Sequence, residues 1–95
     1  MRMDKFLKVS RIIKRRETAK DLCDDGDIFI NGKKAKAMTE VHENDHIVLL
    51  LGRHEIEVVV HEIRPYAKKE EANQMYEIIR DEVHERRAVN EQIQS

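Results

Sequence analysis

Apolar positions follow three successive spacings along the chain. In the first stretch they recur at helical intervals. Phe6, Leu7, Ser10 and Ile13 lie near one face of a first helix, and Ala19, Leu22 and Cys23, at i, i+3 and i+4, line a second. Asp4 is placed to cap the first helix, and Gly26 to end the second. The second stripe is narrow, so that helix is half-buried, and Arg15 and Arg16 stand at or near its N-terminus. Beyond Gly26 the period shortens to two. Ile28 and Ile30 alternate with Asp27 and Phe29, and Asn31-Gly32, a favoured type I′ pair, turns the chain into a return strand over Lys33–Ala37. "MTEVHENDH" reads as a loop. "HIVLLL" (46–51) and "EIEVVV" (55–60) are two further strands joined at Gly52-Arg53-His54. Ile56, Val58 and Val60 alternate with Glu55, Glu57 and Val59, as suits a sheet with one covered face. After Pro65 the helical period returns: Ala72, Met75, Tyr76, Ile79 and Val83 fall at i, i+3, i+4, i+7 and i+11, predicting a C-terminal amphipathic helix from Lys68. Only the last residues, "NEQIQS", lose periodicity. The expected class is α+β.

Composition narrows the chemistry. The chain has 95 residues, of which 39% are charged and 4% aromatic, with no tryptophan. One modest core of Ile, Val, Leu, Ala and Met is therefore expected. No run reaches the roughly 18 apolar residues of a membrane span. "MRMDKF" lacks the apolar segment of a secretory signal, and the single cysteine, Cys23, leaves no intrachain disulfide framework. A cytoplasmic protein with no membrane partner, and a monomer, is the expectation.

Charge changes the picture more. Formal net charge is −1, yet residues 1–20 hold eight Lys and Arg against Asp4 and Glu17, a net of +6, so the remaining 75 residues sum to −7. A basic arm joined to an acidic body suits an anionic partner on one face. Lys5, Lys8 and Arg11 recur along one side of the first helix, and Arg15, Arg16 and Lys20 belong to the second. A guanidinium grips phosphate bidentately, whereas scarce aromatics speak against a reader of single strands by base stacking. Recognition of a folded RNA's backbone shape fits the pattern best. A solvated surface is the plainer reading for single residues such as Lys14.

Other chemistry has little support. No phosphate-cradling glycine loop or nucleophile elbow is present, so no enzyme and no cofactor are expected. His42 and His46 flank a turn rather than sharing a helix face, and no metal site is expected from them. Cys23 is a small core residue by position. Asp24, Asp25 and Asp27 have ordinary turn composition.

"MRMDKFLKVSRIIKRRETAKDLCDDGDIFINGKKAK" resembles the RNA-binding domain named after small-subunit ribosomal protein S-four. The resemblance rests on Arg2-x-Asp4-Lys5-x-Leu7, Arg15-Arg16-x-x-Ala19, Gly26-x-Ile28-x-Ile30-Asn31-Gly32 and Lys33–Lys36, continued by Asp45 and its strand. It implies two short N-terminal helices packed on a small antiparallel-rich sheet over 1–65, whose groove holds structured RNA, with 66–95 as a C-terminal helical extension. It also implies that Arg2, Lys5, Arg15 and Arg16 face RNA. Lys8, Arg11 and Lys20 join them by helix geometry, and Lys33, Lys34 and Lys36 by their place in or after the hairpin. Asp4 would cap the helix or orient a neighbouring arginine. The segment 40–63 departs from this basic character: Glu40, Glu43, Asp45, Glu55, Glu57 and Glu62 stand against Arg53 alone. That half suits solvent or a protein partner.

Within the family, the free-standing size and "KKEEANQMYEII" resemble small ribosome-associated quality-control factors of Gram-positive bacteria, related to a ribosome-binding heat-shock protein. The implied partners are large-subunit rRNA, peptidyl-tRNA and an elongation factor that adds alanine tails to stalled chains. Alternatives are ribosome recycling, a small RNA chaperone or antitoxin-like regulator, and a protein-interaction module using the basic helix.

Overall fold

The computed structural model describes residues 1–84. Its order is α1 (Met3–Val9), α2 (Arg16–Asp24), β1 (Ile28–Ile30), β2 (Lys33–Lys34), β3 (His46–Leu51), β4 (His54–Val60), α3 (Lys69–Ala72) and β5 (Tyr76–Val83). The five strands form one antiparallel sheet in the order β2-β1-β3-β4-β5. Met3, Phe6, Leu7, Ala19 and Cys23 from the two helices meet Ile28, Ile47, Leu49, Val58 and Val60 from one face of the sheet. The strand alternation places those sheet residues on a single side.

The first helix starts without a side-chain cap. Arg2, rather than Asp4, is its N-cap. The helix's free donors are met instead by the chain after the hairpin: Met3 N–H donates to Thr39 O at 2.8 Å and Asp4 N–H to Ala37 O at 3.1 Å. That leaves the Asp4 side chain available for other partners. The second helix ends in a Schellman motif. Asp27 N–H donates to Leu22 O and Gly26 N–H to Cys23 O, with Gly26 at φ 81°. Asn31 (φ 49°) and Gly32 (φ 87°) make the two-residue hairpin turn, pairing Ile30 with Lys33. The return strand covers Lys33–Lys34 only. Asn31 also ties the hairpin to the loop before β3: its Nδ2 donates to Asp45 Oδ1 at 3.0 Å, and its Oδ1 accepts from His46 N–H at 3.0 Å.

The expected C-terminal amphipathic helix is corrected by the structure. Helical geometry stops at Ala72, and Tyr76–Val83 is the fifth strand, paired with β4 along its length with a bulge opposite Glu57/Val58. Ala72 and Met75 are buried, but Ile79 and Val83 are exposed. The 3.6-residue stripe was fortuitous, because "YEIIRDEV" also carries the β-branched and aromatic residues of a strand. The seven-residue β4 would otherwise present an open edge, and pairing it satisfies a row of backbone groups. The end of the predicted helix, "NEQIQS", lies outside the described residues.

Candidate nucleic-acid interface

The bond that organises the basic side is a buried carboxylate. Asp4, in the first turn of α1, is 4% exposed. Its Oδ2 lies 3.2 Å from Arg16 Nε, and its Oδ1 accepts from Arg16 Nη2 at 3.3 Å, so one guanidinium is held by both oxygens. The Nε of Arg2 stands 3.5 Å from the same Oδ1. Asp4 Oδ1 also accepts from Lys5 N–H at 2.8 Å, which fixes the carboxylate against the helix backbone. Two arginines from different elements are thereby oriented together while their side chains stay about half exposed (52% and 47%).

A groove of about 540 Å³ adjoins them, between α2 and the chain leaving the hairpin. Arg2, Lys20, Lys34 and Lys36 supply its cations, Asp24 and Asp25 border it, and Ala35 and Ala37 are among its apolar lining. A shallower hollow of about 280 Å³ shares Arg2 and Lys20 and adds Asp4, Arg16 and Glu17. Gly26 lines the groove at a φ that side chains rarely adopt, and a Cβ there would meet Lys34 Nζ at an ordinary contact distance of 3.4 Å. Arg2, Arg16, Lys20, Lys34 and Lys36 thus form one continuous cationic surface.

The other expected residues are placed differently. Lys5 is half-buried on α1, Arg15 is the exposed N-cap of α2, and Lys33 is exposed at the hairpin; none lines these hollows. Lys8 and Arg11 lie at the opposite end of α1, around two further hollows shared with Lys14, Lys69 and Tyr66. Lys69 and Tyr66 had no signal in the sequence, because only the fold brings 66–69 beside α1. Among the described residues, Lys5, Lys8, Arg11, Arg15, Lys20, Lys33, Lys34 and Lys36 make no ion pair.

Cys23 lines the groove and is buried. Burial, aided by the charges of Asp4 and Asp24, pushes its pKa up to about 11. On the sheet, Glu55, Glu82 and His84 bring ligand atoms within 4.8 Å of one another. Arg80 Nη1 already bonds Glu55 at 3.0 Å and Glu82 at 3.2 Å, which makes the cluster an ion-pair network.

Comparison with known proteins places this region in a family. The S4 domain matches residues 1–47. Over 82 residues the chain is 49% identical to the RQC P-site tRNA stabilizing factor of Bacillus subtilis, covering 86% of this chain and 95% of that protein. The chain belongs to this family of S4-domain proteins. The factor of the same name from Streptococcus pneumoniae is 49% identical over 79 residues, covering 83% of this chain and 90% of its own. Among solved structures, the trimeric Heat Shock Protein 15 of Vibrio cholerae superposes with a TM-score of 0.75 at 28% identity, covering 98% of this chain and 97% of that one. The S4 domain thus contains α1, α2, the hairpin and every groove cation. Among the described residues no helix is long and apolar enough to cross a membrane.

Proposed function

We propose that the chain is an RNA-binding clamp of ribosome-associated quality control. It holds peptidyl-tRNA on an obstructed large ribosomal subunit so that a partner factor can extend the stalled chain with alanine. The observation that carries the reading is the cationic groove with its Asp4-tied arginines. Phosphates are recognised by cations that are exposed and oriented. Arg16 and Arg2 grip first, with orientations already set by Asp4. Lys20, Lys34 and Lys36 extend the contact along the groove, and Lys5, Arg15 and Lys33 add weaker charge around it. The names of the relatives support tRNA as the ligand. The clamp performs no chemistry: its binding energy favours one tRNA position over others, a shift of populations. Large-subunit rRNA would supply the second contact.

Crosslinking in cells followed by identification of the bound RNA tests this reading. tRNA recovered together with large-subunit rRNA is the expected result, and rRNA alone would favour assembly or recycling. Arg16→Ala and Arg2→Ala should each weaken co-sedimentation with large subunits while leaving the protein folded. Unchanged co-migration of both variants would remove the clamp.

A further inference from the structure

The end of α1 carries a surface that the groove does not use. Lys8 lies in the last turn of α1. Arg11 follows at φ 64°, where its N–H donates to Lys8 O at 3.0 Å, so the backbone turns sharply and keeps the two cations side by side. Lys8, Arg11, Ile13, Lys14 and Lys69 line one hollow. Lys8, Val9, Arg11, Tyr66 and Ala67 line the next, so Lys8 and Arg11 form their common wall. Neither hollow shares a residue with the groove. The four cations make no ion pair among the described residues, and Tyr66 is 77% exposed.

Such a group has a specific chemistry. An exposed phenol ring offers little stability while it faces water, yet it supplies a flat apolar surface next to positive charge. Phosphates suit the cations, and the face of a nucleobase suits the ring. A nucleotide engages both parts at once, its phosphates meeting the cations and its base the ring. We propose that Lys8, Arg11, Lys14, Lys69 and Tyr66 form a second RNA surface, separate from the groove. It takes an unpaired nucleotide, with its base stacked on Tyr66 and its flanking phosphates on the cations. The inference rests on the RNA-binding reading above and extends it: the groove holds backbone, and this surface holds a flipped or looped base.

The chain has two tyrosines and no tryptophan, so Tyr66 can be observed directly. The full chain is titrated with a labelled oligouridylate of about ten nucleotides, within the usual site size of single-strand binders, and separately with a labelled RNA hairpin. Anisotropy gives affinity and tyrosine fluorescence reports stacking. Stacking should quench the emission, and Tyr66→Phe should remove that signal while keeping oligouridylate affinity. Tyr66→Ala should weaken oligouridylate about 5- to 150-fold, the range for losing one aromatic–base stack, and Lys8→Gln with Arg11→Gln should weaken it too. Lys20→Gln with Lys34→Gln should weaken the hairpin and spare oligouridylate. Unchanged affinity in Tyr66→Ala, absent quenching, or loss of oligouridylate binding in the groove variant would each overturn the second surface while leaving the groove intact. Failure of the wild-type chain to bind either RNA would overturn the RNA-binding reading with it.

Discussion

Among the described residues, most cations around α1, α2 and the hairpin make no ion pair, whereas the polar side chains of β4 and β5 are bonded to one another. Arg80 reaches Glu55, Glu57 and Glu82 within 3.2 Å. His46 bonds Glu57, His54 bonds Asp81, His61 bonds Glu77, and His84 bonds Glu55. Charges paired across neighbouring strands support the sheet. Charges left exposed and unpaired repel each other in the folded protein, are screened by water and salt, and remain available to an anionic partner. Exposure and pairing, more than the number of basic residues, separate the proposed binding side from the paired side of the sheet. Arg2 and Arg16 are the informative exceptions. They share a single carboxylate between them, which orients two guanidinium groups without neutralising both.

The sharpest way to break this contrast is to reverse charge in the groove. Lys20→Glu with Lys34→Glu should lower RNA affinity by more than about tenfold and flatten the salt slope by about 2, one for each lost phosphate contact. Thermal stability should change little, since among the described residues neither lysine has an ion pair to lose and like charges beside Asp24 and Asp25 cost only a few tenths of a kcal/mol. A drop in melting temperature with intact RNA binding would invert the assignment.

Asp4→Ala probes the exception. Removing a buried acceptor that holds two guanidinium groups and a backbone N–H should cost about 1 kcal/mol, a value discounted for the half-exposed arginines. It should also weaken RNA binding several-fold, less than loss of Arg16 itself. Denaturant unfolding and anisotropy, measured on the same preparation, separate the two effects. Wild-type RNA affinity in a destabilised variant would make Asp4 a folding residue only.

Arg80→Ala should act in the opposite sense, lowering the melting temperature and leaving RNA affinity unchanged. Its pH dependence sharpens the point. Hydrogen bonds from Arg80, and less from His84, hold the Glu55 carboxyl below the ordinary range; those from His46 and Arg80 do the same for Glu57. The folded state therefore binds fewer protons than the unfolded chain near pH 4. This stabilisation is present above the unfolded glutamate pKa of about 4.3 and fades as pH falls through the lowered folded values. Thermal melts across that interval should be steeper in the wild type than in Arg80→Ala. Parallel curves would mean that the network adds no stability.

The smallest expected effect concerns Cys23. With its pKa at about 11, the thiol should stay unmodified by iodoacetamide at neutral pH in the folded chain and react after denaturation. Rapid alkylation of the native protein, followed by mass spectrometry, would show that α2 opens over the groove.

Much of the fold was legible where its signals are local. Asn31-Gly32 specifies a two-residue turn and Gly26 ends α2 in the S4 half, and beyond it Ile56, Val58 and Val60 alternate as a half-buried strand must. The C-terminal segment was misread for the converse reason. Met75, Tyr76, Ile79 and Val83 satisfy the helical period, and only the unpaired edge of β4 selects the strand instead. The cap of α1 was misassigned in the same way: carbonyls of Ala37 and Thr39, more than thirty positions away, took the role expected of the Asp4 side chain.

The sequence alone determined the class of the fold, the placement of α1, α2 and the hairpin, and the division into a basic arm and an acidic body. These depend on spacing and composition, which neighbours along the chain express directly. Tertiary structure decided the rest. It divided the basic residues between a groove and a second surface, set Lys34 and Lys36 opposite Lys20, and gave Asp4 two arginines to hold. It also carried Tyr66 and Lys69 to the end of α1. The physical reason is range: a cation's partner, or its lack of one, is fixed by what the fold brings within a few ångströms, and no periodicity along the chain records that distance.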